Sequence, residues 1–320
     1  MRNRVSSYFS RKAGAIFLAG VMAGPAAGLA DGQQPVETVK GDALNISELV
    51  PTGKVCVSLG AVKDPKTPVE RYLTQQYEQL QQTPTGRQMF DASEPDPVQV
   101  CYDRVLDETD SCGYFSIGRY YEVLSLNPAE SVSDRERTSS AMHEIRHRFQ
   151  RALGIRYGIE GNVPERERVV MNWLIEADAR ITSILFAFEQ AEKGNKSYLD
   201  AMRGDKKMVE AFYKKLNPER TNVSEAAHAS MLAFLQQKGL MMNYANATLG
   251  WISDNHMEFH PKAPVTPLLV TGTLLEMGKI GYGNYMSQEI VDSFSKAFSQ
   301  KDFKELKAAR AKKSKGPVCG

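Results

Sequence analysis

The sequence has no C-x-x-C pair, no G-x-S-x-G turn and no glycine-rich phosphate loop. The first absence argues against a cysteine-rich metal knuckle. The second argues against a serine nucleophile on a strand-to-helix elbow, and the third against a backbone cradle for nucleotide phosphates. Net charge is also nearly absent, at 40 basic against 38 acidic residues. Even that small excess is local. Residues 1–30 hold four basic and no acidic residues, so the remainder carries 36 against 38, a net −2. Nothing in the charge therefore points to nucleic acid. Long apolar runs are missing too, since nothing after Ala23 is apolar enough to span a bilayer. Histidine is scarce, at five residues, which makes any regular spacing among them informative.

What is present describes a globular protein. The chain is 42% hydrophobic and 24% charged, enough for one large domain or two small ones. Arg2, Arg4, Arg11 and Lys12 precede an apolar run from Ala13 to Ala23, and small residues follow to Gly28-Leu29-Ala30. This is the pattern of a secretory signal peptide cut after Ala30. The expectation is a leader over 1–30, then a single domain over 31–320, exported to the periplasm or secreted. Four cysteines in an exported chain suggest disulfides. Asp107–Cys112 reads as a loop between two strands, which favours Cys101–Cys112 and leaves Cys56–Cys319 to pin the tail.

Alternation predicts strands over Lys54–Leu59, Pro97–Tyr102 and Tyr120–Leu126, and helical spacing predicts a helix from Pro68 to about Gln82. Ser131 or Ser133 can cap the next helix, which Gly154 ends. That helix carries His143-Glu144-Ile145-Arg146-His147. Residues four apart share a helix face, so both imidazoles aim at one point, with Glu144 on the flank. Two neutral imidazoles beside a carboxylate can bind one Zn2+ and activate a water, the chemistry of the H-E-x-x-H pattern.

A second helix, from about Glu167 to Lys193, is apolar almost all round yet includes Glu176 and Asp178. A buried carboxylate needs a partner or a metal. The two lie about 200° apart on the helix projection, so one helix cannot readily aim both at one ion. Glu176 is assigned as third ligand. Asp178 takes a supporting or ion-pair role and stands as reserve ligand. Small Ala177 and Ala179 would let the two helices approach closely. Arg146 can pair with Glu176, Asp178 or a substrate carboxylate, and a plain surface position suits it equally. From about 195 to 300 the chain is mostly helical, and residues 301–315 form a basic tail that reads as a solvated helix end. A hydrolase of this kind needs a donor for the developing oxyanion, and His228, His256, His260, Tyr282 and Tyr285 are eligible by type. Pro261 disfavours a helix ending at His260, which weakens the second four-residue histidine spacing as a metal site.

His143-Glu144-x-x-His147 with Glu176 on a following helix resembles the gluzincin branch of the zincin-like metallopeptidases. His143 to Gln150 followed by Glu176-Ala177-Asp178-Ala179 is also similar to an uncharacterised group of bacterial metallopeptidases. The resemblance covers about residues 115–190. It implies an α+β, mostly helical fold: a zincin-like core with a small sheet packed beside the active helix. It implies one Zn2+ on His143, His147 and Glu176, Glu144 as general base, and a peptide or protein substrate. The gap from His147 to Glu176 is longer than in the best-known gluzincins, and Arg180 stands where an Asp is expected. Two other readings remain at this level: a non-enzymatic periplasmic binding protein on the same scaffold, and a cell-wall amide hydrolase.

Overall fold

The computed structural model describes residues 50, 54–58, 65–91, 99–104, 106, 113–117, 122–129, 132–155, 163–254 and 267–314, all within the unit Asn45–Gly320. The expected leader, Cys112, Cys319, His256 and His260 lie outside these residues. The described chain is mostly helical with a small sheet, an α+β architecture.

The main sheet has four strands, β1 (Lys54–Ser58), β2 (Gln99–Asp103), β3 (Gly113–Ile117) and β4 (Glu122–Leu126), in the order β1-β2-β4-β3. β1 runs antiparallel to β2, β2 parallel to β4, and β3 antiparallel to β4. The stretch Asp107–Cys112 therefore does not join neighbouring strands, because β4 inserts between β2 and β3. The antiparallel register sets Cys56 opposite Cys101, and the two form a disulfide with their Cα atoms 4.0 Å apart. This corrects both expected pairings, Cys101–Cys112 and Cys56–Cys319. Directly opposed residues on antiparallel strands are close enough to bridge, and the pairing of β1 with β2 across the two intervening helices is invisible in the local sequence.

Helices α1 (Pro68–Gln81) and α2 (Pro84–Asp91) lie between β1 and β2 in the chain. Thr67 and Glu70 form a capping box, with Pro68 in the first turn where its missing N–H costs nothing. After β4 comes α3 (Asp134–Ala152), capped by a second box: Ser133 N–H donates to Glu136 at 2.7 Å and Glu136 N–H to Ser133 Oγ at 3.3 Å. Arg137 hooks the preceding turn onto this helix, donating to the carbonyls of Asn127 (2.9 Å) and Ala129 (2.6 Å). That fixes α3 against β3 and β4. Gly154, at φ +83°, supplies the left-handed residue that ends the helix.

The 28-residue α4 (Glu165–Glu192) is buried along nearly its whole length. It packs on α3, where Ser183 Oγ donates to the Ser139 carbonyl at 3.0 Å, and Ala177 and Ala179 on it are fully buried. Small side chains at this crossing allow the backbones to approach. After α5 (Ser197–Ala201), α6 (Lys206–Lys215) and α7 (Val223–Phe234) comes α8 (Lys238–Asp254), which lies along α4. Trp173 donates to the Met241 carbonyl at 2.8 Å and Asn172 to Thr248 at 3.0 Å. The helical second half is completed by α9 (Pro267–Met277), α10 (Gln288–Ala297) and α11 (Gln300–Ser314). Between α9 and α10 a short hairpin, β5 (Lys279–Ile280) and β6 (Gly283–Asn284), docks on α2. There Gln88 donates to the Lys279 carbonyl and accepts from Gly281 N–H at 2.8 Å. Gly278 is required at this bend, since a Cβ there would lie 2.2 Å from that of Met286. The hairpin delivers Tyr285 into the core beside α4. No helix among the described residues is long and apolar enough to cross a membrane.

Candidate metal centre

α3 presents His143 and His147 one turn apart, their rings edge to face with centroids 4.7 Å apart and their Nε2 atoms 3.0 Å apart. α4 crosses at this level and brings Glu176 in: Oε2 lies 3.4 Å from His143 Nε2 and Oε1 3.7 Å from His147 Nε2. Glu144 completes the group, since ligand atoms of His143, Glu144 and His147 all lie within 4.8 Å of one another. A tetrahedral zinc with bonds of about 2.0–2.1 Å sets its donors roughly 3.3 Å apart. The separations of 3.0, 3.4 and 3.7 Å, the last two to different oxygens of Glu176, bracket that value, so the donor set is compatible with zinc. His143 is the most accessible of the three, at 17% of its side chain, against 5% for His147.

Hydrogen bonding fixes the tautomer of His147. Gln150, one turn on, donates its amide to the Ile175 carbonyl (2.9 Å) and to Asp178 Oδ2 (2.6 Å). Its Oε1 must then face His147 Nδ1, 2.8 Å away, and accept a proton from it. Nε2 is left with a bare lone pair directed at His143 and Glu176, the form a metal ligand requires.

Asp178 is fully buried and all its lone-pair directions are occupied. Arg146 Nε donates to Oδ2 at 2.7 Å and Nη2 to Oδ1 at 3.0 Å, in a fork. Gln150 adds a bond to Oδ2, and the Tyr285 hydroxyl donates to Oδ1. The carboxylate thus has no oxygen to spare for the histidines, and the reserve-ligand expectation for Asp178 gives way to the ion-pair one. Arg146, also fully buried, further donates to the Met277 carbonyl and lies 4.5 Å over the Phe149 ring, far from the surface position it was equally eligible for.

The electrostatics favour a cation. Burial works to raise the Glu176 carboxyl, but the His147 and His143 imidazoles and the Tyr244 hydroxyl outweigh it and hold the group down at about 2. Burial works to lower His143, but its bond to Glu176 and the Glu144 charge raise it above its ordinary value.

Among the described residues, the eligible oxyanion donors His228, Tyr282 and Tyr285 have other partners. The Tyr285 proton goes to Asp178, and the Tyr282 hydroxyl donates to Glu189 at 3.0 Å. His228 Nδ1 meets the Tyr285 carbonyl at 3.1 Å, with its Nε2 3.7 Å from Glu289. Sequence reasoning passed over Gln150 and Tyr244. The i+3 spacing of Gln150 from His147 was a usable signal. Tyr244 left none, because α8 reads as an ordinary apolar segment.

Fold and site define a mostly helical α+β protein with two imidazoles and two carboxylates gathered as for a divalent metal. The chain belongs to the family described as "Putative metallopeptidase family (DUF6782)", which it matches over residues 51–285. That span contains His143, Glu144, His147 and Glu176. No curated protein and no solved structure matches the chain.

Proposed function

We propose that the protein is an exported zinc metallopeptidase of the gluzincin type, built on a zincin-like core. The observation that carries this reading is the convergence of His143 Nε2, His147 Nε2 and the Glu176 carboxylate at 3.0–3.7 Å. These three would hold one zinc ion. When bound there, zinc would supply Lewis acidity and lower the pKa of a water to about 7.

The chain's own residues do the remaining work. Glu144 is the carboxylate not needed as a ligand. It stands beside His143 and takes a proton from the attacking water, then returns it to the nitrogen of the leaving amine. Gln150 holds His147 in the ligating tautomer, backed by Asp178 and Arg146. Tight packing of α3 on α4 keeps Glu176 in reach. The leader-like pattern of residues 1–30 and the Cys56–Cys101 bond support export, since disulfides persist in oxidising compartments.

The test is Glu144→Gln in the mature chain. Zinc content should match the parent, while hydrolysis of a mixed peptide library falls about 100- to 10,000-fold. His147→Ala should lose zinc itself. Unchanged hydrolysis by Glu144→Gln would remove Glu144 from the mechanism. Bound zinc with no peptide hydrolysis but release of amines from peptidoglycan cross-links would move the substrate to the cell wall.

A further inference from the structure

The segment between α9 and α10 reaches both members of the ion pair that lies beneath the histidines. At its start the Met277 carbonyl accepts from Arg146 Nη2. At its far end the Tyr285 hydroxyl donates to Asp178 Oδ1. All four residues are buried. From Asp178 the contacts continue to the metal centre. Asp178 Oδ2 accepts from the Gln150 amide at 2.6 Å, and Gln150 Oε1 accepts from His147 Nδ1 at 2.8 Å. A hairpin residue is thus joined to a ligand imidazole by three successive hydrogen bonds.

The hairpin has no core of its own. β5 and β6 hold two residues each, and Lys279, Gly281, Gly283 and Asn284 are exposed. It is held to the rest of the chain largely by polar contacts. Gln88 bonds the Lys279 carbonyl at 3.2 Å and Gly281 N–H at 2.8 Å, Glu189 accepts from Tyr282 at 3.0 Å, and His228 Nδ1 meets the Tyr285 carbonyl at 3.1 Å. Segments tied by exposed hydrogen bonds open locally at a free energy well below that of global unfolding. When this one lifts, Arg146 loses an acceptor, Asp178 loses a donor, and water reaches a carboxylate that was dry. Gln150 then keeps only the Ile175 carbonyl to orient its amide, and its hold on His147 loosens.

We propose that Tyr285 is a positioning residue for the His147 ligand, acting through Asp178 and Gln150, so that zinc binding and docking of the β5–β6 hairpin favour each other. The inference rests on the zinc reading of the site and adds a coupling to it. An undocked hairpin lowers the apparent zinc affinity in proportion to the molecules that stay docked. By linkage, bound zinc makes opening of the hairpin rarer by the same factor. Gln88 and Glu189, which are not ligands, thereby bear on the metal.

The experiment uses the full mature chain, stripped of metal and titrated with zinc against a chromogenic chelator. Tyr285→Phe keeps the ring and removes the hydroxyl. It should weaken zinc binding about 10-fold, the low end for a group that supports a ligand from outside. Gln88→Ala loosens the hairpin from α2 and should weaken binding in the same direction by a smaller factor. In a Gln150→Leu background, where the path is cut, Tyr285→Phe should weaken binding no further. Hydrogen exchange of the parent gives a second reading that needs no variant to fold. Zinc should slow exchange of the amides of residues 279–285 by about 10-fold, while the amide of Thr221, bonded to Asn217 at 2.9 Å in a separate loop, stays unchanged. Parent-like zinc affinity in Tyr285→Phe, an equal further loss in the Gln150→Leu background, or hairpin exchange indifferent to zinc would overturn the proposal. A Tyr285→Phe protein that unfolds at lower urea yet binds zinc like the parent would reduce the hydroxyl to a structural role. If any of these appears while His147→Ala loses zinc, only this inference falls. If the parent takes up no zinc, the reading of the site falls and takes this with it.

Discussion

Arg146→Met is the perturbation whose cost the structure defines best. Arg146 and Asp178 have no exposed side-chain surface, and they meet through two hydrogen bonds of 2.7 and 3.0 Å. Methionine fills most of the arginine stem but leaves Asp178 charged, dry and supported only by Tyr285 and Gln150. Breaking a buried pair from one side costs about 3–5 kcal/mol. Removing both charges, as Arg146→Met with Asp178→Leu, is expected to behave differently. Loss of the pair itself is often neutral or favourable by about 1–4 kcal/mol. Against that, the Tyr285 hydroxyl and one Gln150 N–H lose their acceptor, at about 1–3 kcal/mol each. At the middle of these ranges the double variant should lie about 2 kcal/mol below the parent, less destabilised than the single one. Urea unfolding of the metal-free protein at pH 7, followed by far-ultraviolet circular dichroism, measures both. A single variant losing under about 1 kcal/mol, or a double variant losing more than the single, would refute the reasoning.

The metal-free cluster should also show a defined pH window. Glu176, held down at about 2, stabilises the fold above 4.5 and loses that contribution as pH falls toward 2. His143, raised above 6.5, stabilises below that value and loses its contribution as pH climbs through its raised pKa. Glu176→Gln should therefore cost most stability between pH 4.5 and 6.5 and less at pH 9, as read by urea unfolding of chelator-treated parent and variant. Cys56 and Cys101 are 45 residues apart, and closing a loop of that length is worth up to about 4 kcal/mol. Replacing both with serine should lower stability by up to that amount while chelator competition finds zinc affinity unchanged, since the bond lies in the sheet and not at the ligands.

The two histidines of the candidate site were legible because their geometry is local. Two histidines four apart on a helix must share a face, and no tertiary fact is needed to say so. Glu176 was legible by a different route: an acidic residue on an otherwise apolar helix has to be accounted for. Separating Glu176 from Asp178 needed the helix angle, which sequence supplies, but the partner of Asp178 needed the fold. Arg146 lies 32 positions from it, and Tyr285 arrives from a hairpin 107 positions away. The tyrosines offered as oxyanion donors show the limit of reasoning by residue type, because each hydroxyl is already committed to a nearby carboxylate. The disulfide was misread for a topological reason. Chain order suggested that β2 and β3 were neighbours, whereas β4 takes the place between them and β1 lines up Cys56 with Cys101. Tyr244 was not legible at all, since nothing in an apolar helix marks the phenol that Arg180 reaches.

The length of α4 has a consequence for how such a chain can change. Its 28 residues span about 42 Å. Near the start, Arg166 grips the Phe298 and Ser295 carbonyls; near the end, Glu189 takes both the backbone and the hydroxyl of Thr85 at the head of α2. Glu176, Asp178 and Arg180 sit between these anchors. Adding or deleting one residue inside this span would turn everything beyond it by about 100°. Either Glu176 would leave the histidines or Glu189 would leave Thr85. The helix is in effect a ruler, calibrated at both ends, and the chain can change length in its connections far more freely than along this one element.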